Sequence, residues 1–296
     1  MQRRRIGSLD VSVIGVGCNN FGWRIDAAAT GAVVGTALDL GINFFDTADI
    51  YAKGQSEEFL GRALGTRRDQ VIIATKFGMK MDEQRVGAKP AYVRQAVEDS
   101  LRRLGTDRID LYQLHQSDPE TPLNDTLGAM EDLVRAGKVR EIGCSNFSAD
   151  QLRAAAGRFA SVQNEYSMVH REPEADVLPE CERSGIAFLP FFPLASGLLT
   201  GKYRLGLKPP KGSRGDAGWG PKVFTGANLA LVEKLIGFAS SHGHTILELA
   251  FAWLLAKPVV ASVIAGATSP EQVKANASAT GWALTKAELA EVDAIG

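Results

Sequence analysis

Short apolar segments rich in β-branched residues alternate along this chain with longer segments that carry helix start and stop signals. Glycines stand just past several of the longer segments, at Gly41, Gly65, Gly105 and Gly137. This alternation is typical of a parallel sheet whose strands are connected by helices. The predicted strands are residues 11–17, 44–46, 71–75, 109–114, 139–144, 161–166, 187–192 and 262–264, and the predicted helices are 27–40, 56–64, 90–104, 122–136, a segment capped by Ser148, 174–183, a segment opened by Ser269 and Pro270, and 285–293.

Eight strand–helix units favour a closed barrel over an open, doubly wound sheet. We therefore predict one (β/α)8 TIM barrel domain that covers residues 1–296. Residues 3–8 and the residues after them are predicted to form an N-terminal β-hairpin that closes the bottom of the barrel. The last helix, which Thr285 and Glu288 open with a capping box, is an addition at the C-terminus. A long loop after the seventh strand, residues 200–225, is rich in Gly and Pro and holds Lys202, Arg204, Lys208, Lys211 and Arg214; loops of this length are commonly functional or disordered.

Charge and cysteine content exclude several classes of protein. The 33 Lys and Arg nearly equal the 34 Asp and Glu, so no overall field favours nucleic acid or an acidic membrane surface as a partner. No segment approaches the ~20 apolar residues that a membrane-spanning helix needs, and the basic first residues lack the apolar core of a signal peptide. The three cysteines lie far apart and form no zinc or redox pair. We expect a cytoplasmic monomer without a bound metal.

Chemically active side chains stand where successive predicted strands end. Asp46, Lys76 and His115 each end an apolar segment, Ser145 and Asn146 end another, and Tyr51 follows Asp46 by five positions. Each of these side chains has an ordinary structural role when taken singly, but their repetition at consecutive strand ends favours one shared site, because a parallel barrel gathers its strand ends at one rim.

A tyrosine beside a lysine is the part of this set that can donate a proton. A free phenol has a pKa near 10, and an adjacent cation favours the phenolate and lowers that pKa. Asp46 can hold Lys76 in its charged form, and His115 can donate a hydrogen bond to an oxygen above Tyr51. None of these side chains supplies hydride, so carbonyl reduction at this site would need a cofactor.

Together these segments resemble the aldo-keto reductase superfamily over nearly the full length of the chain. The resemblance implies an NADP(H)-dependent oxidoreductase that transfers hydride to an aldehyde or ketone, or oxidises an alcohol or sugar in reverse. It implies that Tyr51 is the general acid, that Lys76 and Asp46 tune it, and that His115 orients the carbonyl. The motifs that carry the resemblance are residues 46–51, 71–76, 110–115, 141–147 and 163–166.

The same resemblance implies a cofactor site of NADPH or NADP along the barrel mouth. Gly266 and Ala275 stand where many members have lysine and glutamate, so NAD remains an alternative. Phe191 stands where the family places an aromatic ring that stacks on the nicotinamide. The implied cofactor contacts are Gly17, Cys18, Asn19, Asp46, Ser145, Asn146, Gln163, Phe191, Pro193, Leu194, Ser196, Lys202, Gly266, Thr268, Ser269, Gln272 and Asn276.

The substrate, a small carbonyl or alcohol, is expected to contact Tyr51, His115, Asn20, Phe21 and Trp23. Trp219 in the long loop is a further candidate wall. Two alternatives remain at this point. One is a cofactor-bound sensor or binding subunit with little turnover, and the other is an aldolase that uses Lys76 as a Schiff-base nucleophile.

Overall fold

The computed structural model describes residues 1–218 and 222–296. Its elements follow the predicted alternation. The strands are β1 (Arg3–Ile6), β2 (Leu9–Ser12), β3 (Ile14–Gly17), β4 (Phe44–Asp46), β5 (Ile72–Phe77), β6 (Ile109–Leu114), β7 (Val139–Ser145), β8 (Ser161–Glu165), β9 (Ala187–Phe191) and β10 (Val263–Gly266), and the helices are α1 (Ala27–Asp39), α2 (Gln55–Leu64), α3 (Pro90–Leu104), α4 (Leu123–Arg135), α5 (Ala149–Ala154), α6 (Val177–Ser184), α7 (Gly226–Ser241), α8 (Ile246–Leu255), α9 (Pro270–Ser278) and α10 (Lys286–Asp293).

Eight parallel strands form a nearly closed barrel in the order β10-β3-β4-β5-β6-β7-β8-β9. A parallel bridge between Phe188 of β9 and Val260, which precedes β10, links the two ends of the sheet. The Phe188 N–H donates to the Val259 carbonyl at 2.7 Å, and the Ala261 N–H donates to the Phe188 carbonyl at 3.0 Å. The predicted (β/α)8 barrel with its N-terminal hairpin is therefore confirmed, and β4, β5 and β6 are neighbours as the site prediction requires.

The hairpin of β1 and β2 closes one end of the barrel. Ile6, Leu9 and Val11 are fully buried and pack with inward side chains of the barrel such as Phe44 and Leu111. The predicted strand over residues 11–17 was wrong at its start, because Val11 belongs to β2 and the barrel strand begins at Ile14. The chain turns between the two strands, where the Ser12 hydroxyl donates to the Ile14 carbonyl at 2.6 Å.

Side-chain caps mark the helix ends that the sequence indicated. Ser148 accepts the Gln151 N–H at the start of α5, and Thr285 accepts the Glu288 N–H at the start of α10, so both predicted caps are confirmed. The helix predicted over residues 174–183 instead begins at Val177, after a short 3-10 turn at Glu172–Glu174. Helices α7 and α8, which follow the long loop, were not delimited from the sequence.

The outer helices pack closely on the barrel and on each other. Helices α2 and α3 approach each other closely, because a Cβ added at Gly61 would collide with the backbone carbonyl of Leu104. Over the described ranges 1–218 and 222–296, no helix has both the length and the apolar character needed to cross a membrane.

Candidate active site

A cavity of about 880 Å³ opens where the carboxyl ends of the barrel strands meet. This volume lies within the range of small-molecule and cofactor sites. Most of the residues predicted for the site line it: Gly17, Cys18, Asn19, Asn20, Asp46, Tyr51, His115, Ser145, Asn146, Gln163, Phe191, Pro193, Leu194, Ser196, Lys202, Gly266, Thr268, Gln272 and Asn276.

A buried ion pair lies beneath the cavity floor. Lys76 Nζ donates to Asp46 Oδ2 at 2.6 Å and to the Thr47 carbonyl at 2.8 Å. The side chains of Lys76 and Asp46 are 0% and 4% exposed. The second Asp46 oxygen, Oδ1, accepts from Gln163 Nε2 at 2.8 Å and from Gln113 Nε2 at 3.3 Å. Both charged groups are thus held by several hydrogen bonds, which is what a charged pair needs when it is removed from water.

Lys76 keeps its proton in this environment. Burial acts to lower the pKa of Lys76, but the neighbouring Asp46 carboxylate and the Tyr51 phenol raise that pKa above its ordinary value. Because β4 and β5 are hydrogen-bonded neighbours, the pairing follows directly from the barrel topology. Lys76 is therefore a fixed ammonium ion beside Tyr51.

Tyr51 lies at the start of a tight turn after β4, against both Lys76 and His115. The Tyr51 N–H donates to the Ala48 carbonyl at 3.2 Å. Lys76 Nζ lies 5.3 Å from the centroid of the Tyr51 ring. The rings of Tyr51 and His115 meet edge to face with their centroids 5.9 Å apart. Three side chains from three neighbouring segments of the chain therefore converge on one point of the cavity.

The pKa of Tyr51 is raised overall. Burial raises it most, the Lys76 ammonium lowers it by its charge and by a hydrogen bond, and Asp46 raises it again. Lys76 thus lowers the pKa of Tyr51, as predicted, but this effect offsets the rise caused by burial only in part. Tyr51 is consequently a neutral phenol at neutral pH, which is the form that can donate a proton.

His115 is neutral at any working pH. Burial and the Lys76 charge lower the pKa of His115 to about 3. Its backbone is fixed by its N–H to the Phe77 carbonyl at 2.8 Å and by Asn146 Nδ2, which donates to the His115 carbonyl at 3.0 Å. Among the described residues, His115 Nδ1 is buried without a hydrogen-bond partner. A neutral imidazole donates through one nitrogen only, so it can bind an oxygen without adding charge.

Amide and aromatic side chains form the adjoining wall. The Ser145 hydroxyl donates to the Gln163 carbonyl at 2.7 Å and accepts from Asn146 Nδ2 at 3.1 Å. Asn146 has a left-handed backbone, with φ of 60°, which turns its side chain at the end of β7. Phe191 lies at the end of β9 and meets Phe192 edge to face at 5.3 Å. This wall offers polar groups for a planar amide and an aromatic face beside them.

The outer part of the cavity is positively charged. Arg24, Lys202, Lys211 and Arg214 all line it, and Asp46 is the sole carboxylate among its lining residues within the described ranges. Burial and the nearby Arg24 charge lower the pKa of Arg214. Since Asp46 is already paired with Lys76, the basic groups are available to an anionic ligand. An extended dinucleotide, with its phosphates, fits both this charge and the cavity volume.

The N-terminus of α9 forms the far end of the cavity. Ser269 caps it by accepting the Gln272 N–H at 3.4 Å, and Pro270 takes the first turn. The Thr268 N–H donates to Gln272 Oε1 at 2.9 Å. Helix N-termini favour phosphate, and Gly266 leaves no side chain at the end of β10. Ser269 caps the helix and does not itself line the cavity.

Some predicted pocket residues lie elsewhere. Phe21 is fully buried in the hydrophobic core, and Trp23 is 51% exposed and does not line the cavity. Trp219 lies outside the described residues. The sequence did not single out Arg24 or Met79, both of which line the cavity. Neither carries a local signal, because their positions depend on how the rim loops fold.

Within residues 1–218 and 222–296, no group of three or more His, Cys, Asp or Glu side chains is placed to hold a metal ion.

The sequence pattern of the Aldo/keto reductase family matches residues 13–296. The chain therefore belongs to the aldo-keto reductases, a family of oxidoreductases that use nicotinamide cofactors. It is 34% identical over 287 residues to an uncharacterized oxidoreductase, YqkF, of Bacillus subtilis, covering 94% of this chain and 91% of the relative. It is also 35% identical over 304 residues to aldo-keto reductase yakc [NADP(+)] of Schizosaccharomyces pombe, covering 98% and 89%.

Two solved structures are similar over the whole chain. The holo form of aldo-keto reductase AKR11C1 from Bacillus halodurans has a TM-score of 0.85 at 33% identity, covering 100% of this chain and 96% of that one. The glycerol dehydrogenase AKR11B4 from Gluconobacter oxydans has a TM-score of 0.87 at 32% identity, covering 99% and 94%. These similarities agree with the nearly closed barrel described above.

Proposed function

We propose that this chain is an NADP(H)-dependent oxidoreductase that interconverts an aldehyde or ketone and the corresponding alcohol. The observation that carries the proposal is the convergence of Tyr51, His115 and the buried Lys76–Asp46 pair on one cavity. Residues 1–296 are proposed to act as one domain, because the eight-stranded ring uses segments from β3 to β10.

Tyr51 is proposed to donate the proton in the reductive direction. A carbonyl oxygen above Tyr51 accepts the phenolic proton as negative charge develops on that oxygen. The Lys76 ammonium stabilises the phenolate that remains, and Asp46 holds the ammonium in place at 2.6 Å. Neutral His115 donates a second hydrogen bond to the same oxygen and fixes its position. Oxidation of an alcohol follows the same steps in reverse.

A nicotinamide cofactor held in this cavity would supply or accept the hydride, which none of the protein groups can carry. Ser145, Asn146 and Gln163 are proposed to hold its carboxamide, and Phe191 to face its ring. The phosphates are proposed to lie along the basic outer cavity at Lys202 and towards the N-terminus of α9. We propose NADP(H) as the cofactor, in line with the relative named for NADP(+), and the absence of a lysine at Gly266 leaves NAD(H) as the competing cofactor.

The aldolase alternative is disfavoured by the state of Lys76. A Schiff-base nucleophile needs an uncharged amine, whereas Lys76 is 0% exposed, is bonded to Asp46, and has a raised pKa. A binding subunit with little turnover would use the same cavity, so the experiment has to measure turnover as well as binding.

Titration of the intrinsic fluorescence with NADPH and with NADH tests the cofactor assignment. Consumption of NADPH is then followed with a panel of aldehydes, ketones and sugars, and reduction of NADP with a panel of polyols. We expect tighter binding of NADPH than of NADH, and steady consumption with at least one class of carbonyl. Tight binding without turnover on any substrate would instead support the binding subunit. Borohydride trapping of a substrate on Lys76 would support the aldolase.

A further inference from the structure

A second buried acid lies directly behind the Tyr51 turn. Asp49 follows β4 and is 1% exposed, and Glu57 of α2 is fully buried beside it. Within the described part of the chain, no side chain donates a hydrogen bond to either carboxyl oxygen of Asp49, and the neighbouring Ile50 N–H is the backbone group that favours its charged form. Glu57, in contrast, accepts from the Thr75 hydroxyl at 2.6 Å and from Arg103 Nε at 2.6 Å. Arg103, a cation that also lowers the pKa of Asp49, is thus hydrogen-bonded to Glu57.

Burial and the Glu57 charge raise the pKa of Asp49 to about 7, against the lowering effects of Arg103, the Ile50 N–H and Lys76. Asp49 also faces two phenols: burial raises the pKa of Tyr92 and of Tyr112 most, and the Asp49 charge raises both further. The Tyr112 hydroxyl is itself buried without a hydrogen-bond partner in the described residues. The titratable groups that face Asp49 are therefore Glu57 from α2, Arg103 and Tyr92 from α3, Lys76 from β5 and Tyr112 from β6.

The turn that carries Tyr51 has a strained backbone. Ala52 and Lys53 both adopt left-handed conformations, with φ of 48° and 56°. Such conformations persist only where the surroundings hold them. The turn is tied to the barrel by the Asp49 N–H, which donates to the Lys76 carbonyl at 3.1 Å. Arg103 packs against Gly54, where an added Cβ would lie 2.7 Å from Arg103 Cδ.

We propose that Asp49 is a proton-dependent positioning residue for Tyr51. As a neutral carboxylic acid, Asp49 stays buried beside Glu57 and the strained turn keeps the Tyr51 hydroxyl over Lys76. As a carboxylate, it is repelled by Glu57 and has to reach water, so the turn loosens and the hydroxyl leaves its position. This inference rests on the proposed function, since it assigns Asp49 a role through the proposed proton donor.

The pH dependence of turnover in the 296-residue chain tests the proposal. If only the protonated form is competent, wild-type kcat falls about tenfold between about pH 6 and about pH 8. Asp49→Asn keeps the shape and neutrality of the acid form, so its kcat at about pH 6 should stay within about threefold of wild type and remain level to about pH 8. Asp69→Asn, which changes an exposed aspartate, should retain the wild-type profile.

An Asp49→Asn profile with the wild-type inflection would overturn the proposal. So would an equal loss of kcat at both pH values, because that result describes a residue needed only for folding. Michaelis constants and NADPH affinity should change by less than about twofold in Asp49→Asn, since Asp49 does not line the cavity.

A second measurement needs no turnover, so it separates this inference from the proposed function. Amide hydrogen exchange at residues 51–54, corrected for the intrinsic pH dependence, should accelerate above about pH 7 in wild type and not in Asp49→Asn. As the pH rises towards about 7, the thermal stability of wild type should fall relative to that of Asp49→Asn. The reason is that below this pH native wild type binds a proton at Asp49 that the unfolded chain does not hold. Parallel pH curves for the two proteins in both measurements would overturn the proposal even if no substrate is found.

Discussion

Replacing Lys76 by methionine should separate the structural role of the buried ion pair from its chemical role. Lys76→Met keeps the volume of the side chain and removes the charge that faces Asp46 at 2.6 Å. Breaking one side of a buried pair typically destabilises a protein by about 3–5 kcal/mol. Asp46 keeps two amide donors on Oδ1, from Gln163 and Gln113. The unfolding free energy of Lys76→Met is therefore expected to fall by an amount near the low end of this range, about 3 kcal/mol.

The double variant Asp46→Asn with Lys76→Met provides the matched control. It removes the uncompensated carboxylate along with the ammonium, so most of the lost stability should return. Turnover should not return, because the charge that stabilises the Tyr51 phenolate is still missing. A coupling energy of about 2 kcal/mol or more between the two positions is expected for stability, as for other groups in direct contact.

Urea unfolding of the four proteins in the cycle gives the stabilities, and stopped-flow reduction of one carbonyl gives the chemical step. Equal stability of Lys76→Met and the double variant would show that the lost stability does not come from an unpaired buried charge. Near wild-type hydride transfer in the double variant would separately exclude Lys76 as the group that tunes Tyr51.

Two further predictions concern packing and protonation. Gly61→Ala should lower the unfolding free energy by at least about 2 kcal/mol, because its Cβ collides with the Leu104 carbonyl. Gly31→Ala, in open space on α1, should instead raise the unfolding free energy by about 0.5–1 kcal/mol. Denaturant unfolding that gives the two variants similar stabilities contradicts the close packing at Gly61. In an Asp49→Asn background, the pH profile of kcat/KM should show no inflection near the ordinary histidine pKa, because His115 with a pKa of about 3 is already neutral. An inflection there that His115→Gln removes would contradict the neutral state of His115.

The strand ends were predictable because their geometry follows from topology alone. Once the segments ending at Asp46, Lys76 and His115 are parallel neighbours, their last residues share one rim. The sequence pattern of alternation and helix boundaries was sufficient for that conclusion. The cavity lining and the 2.6 Å contact between Lys76 and Asp46 agree with it.

Loop side chains were harder to predict because their direction depends on single backbone angles. Gly22 has φ of 75°, and the turn it makes leaves Phe21 in the core and Trp23 towards solvent. Helix α8 was missed for a different reason. Its sequence is apolar on nearly all sides, so it lacks the one-sided pattern that indicates a surface helix.

The protonation states of Tyr51 and Asp49 could not be predicted from the spacing of residues in the sequence. The neighbours of Tyr51 gave the direction of the Lys76 contribution to its pKa, but the larger effect of burial depends on the folded surroundings. Asp49 was not singled out for the same reason. Its raised pKa comes from its depth and from Glu57, which α2 brings behind the turn.

Turnover and NADPH binding in Tyr51→Phe show whether Tyr51 is the proton donor. Tyr166→Phe is the control, because the Tyr166 hydroxyl bonds Glu174 and does not line the cavity. Loss of a general acid costs about 10²–10⁴-fold in rate. We therefore expect Tyr51→Phe to lose at least about a hundredfold in carbonyl reduction while binding NADPH within about twofold of wild type, and Tyr166→Phe to retain turnover. Turnover near the wild-type rate in Tyr51→Phe would contradict the account.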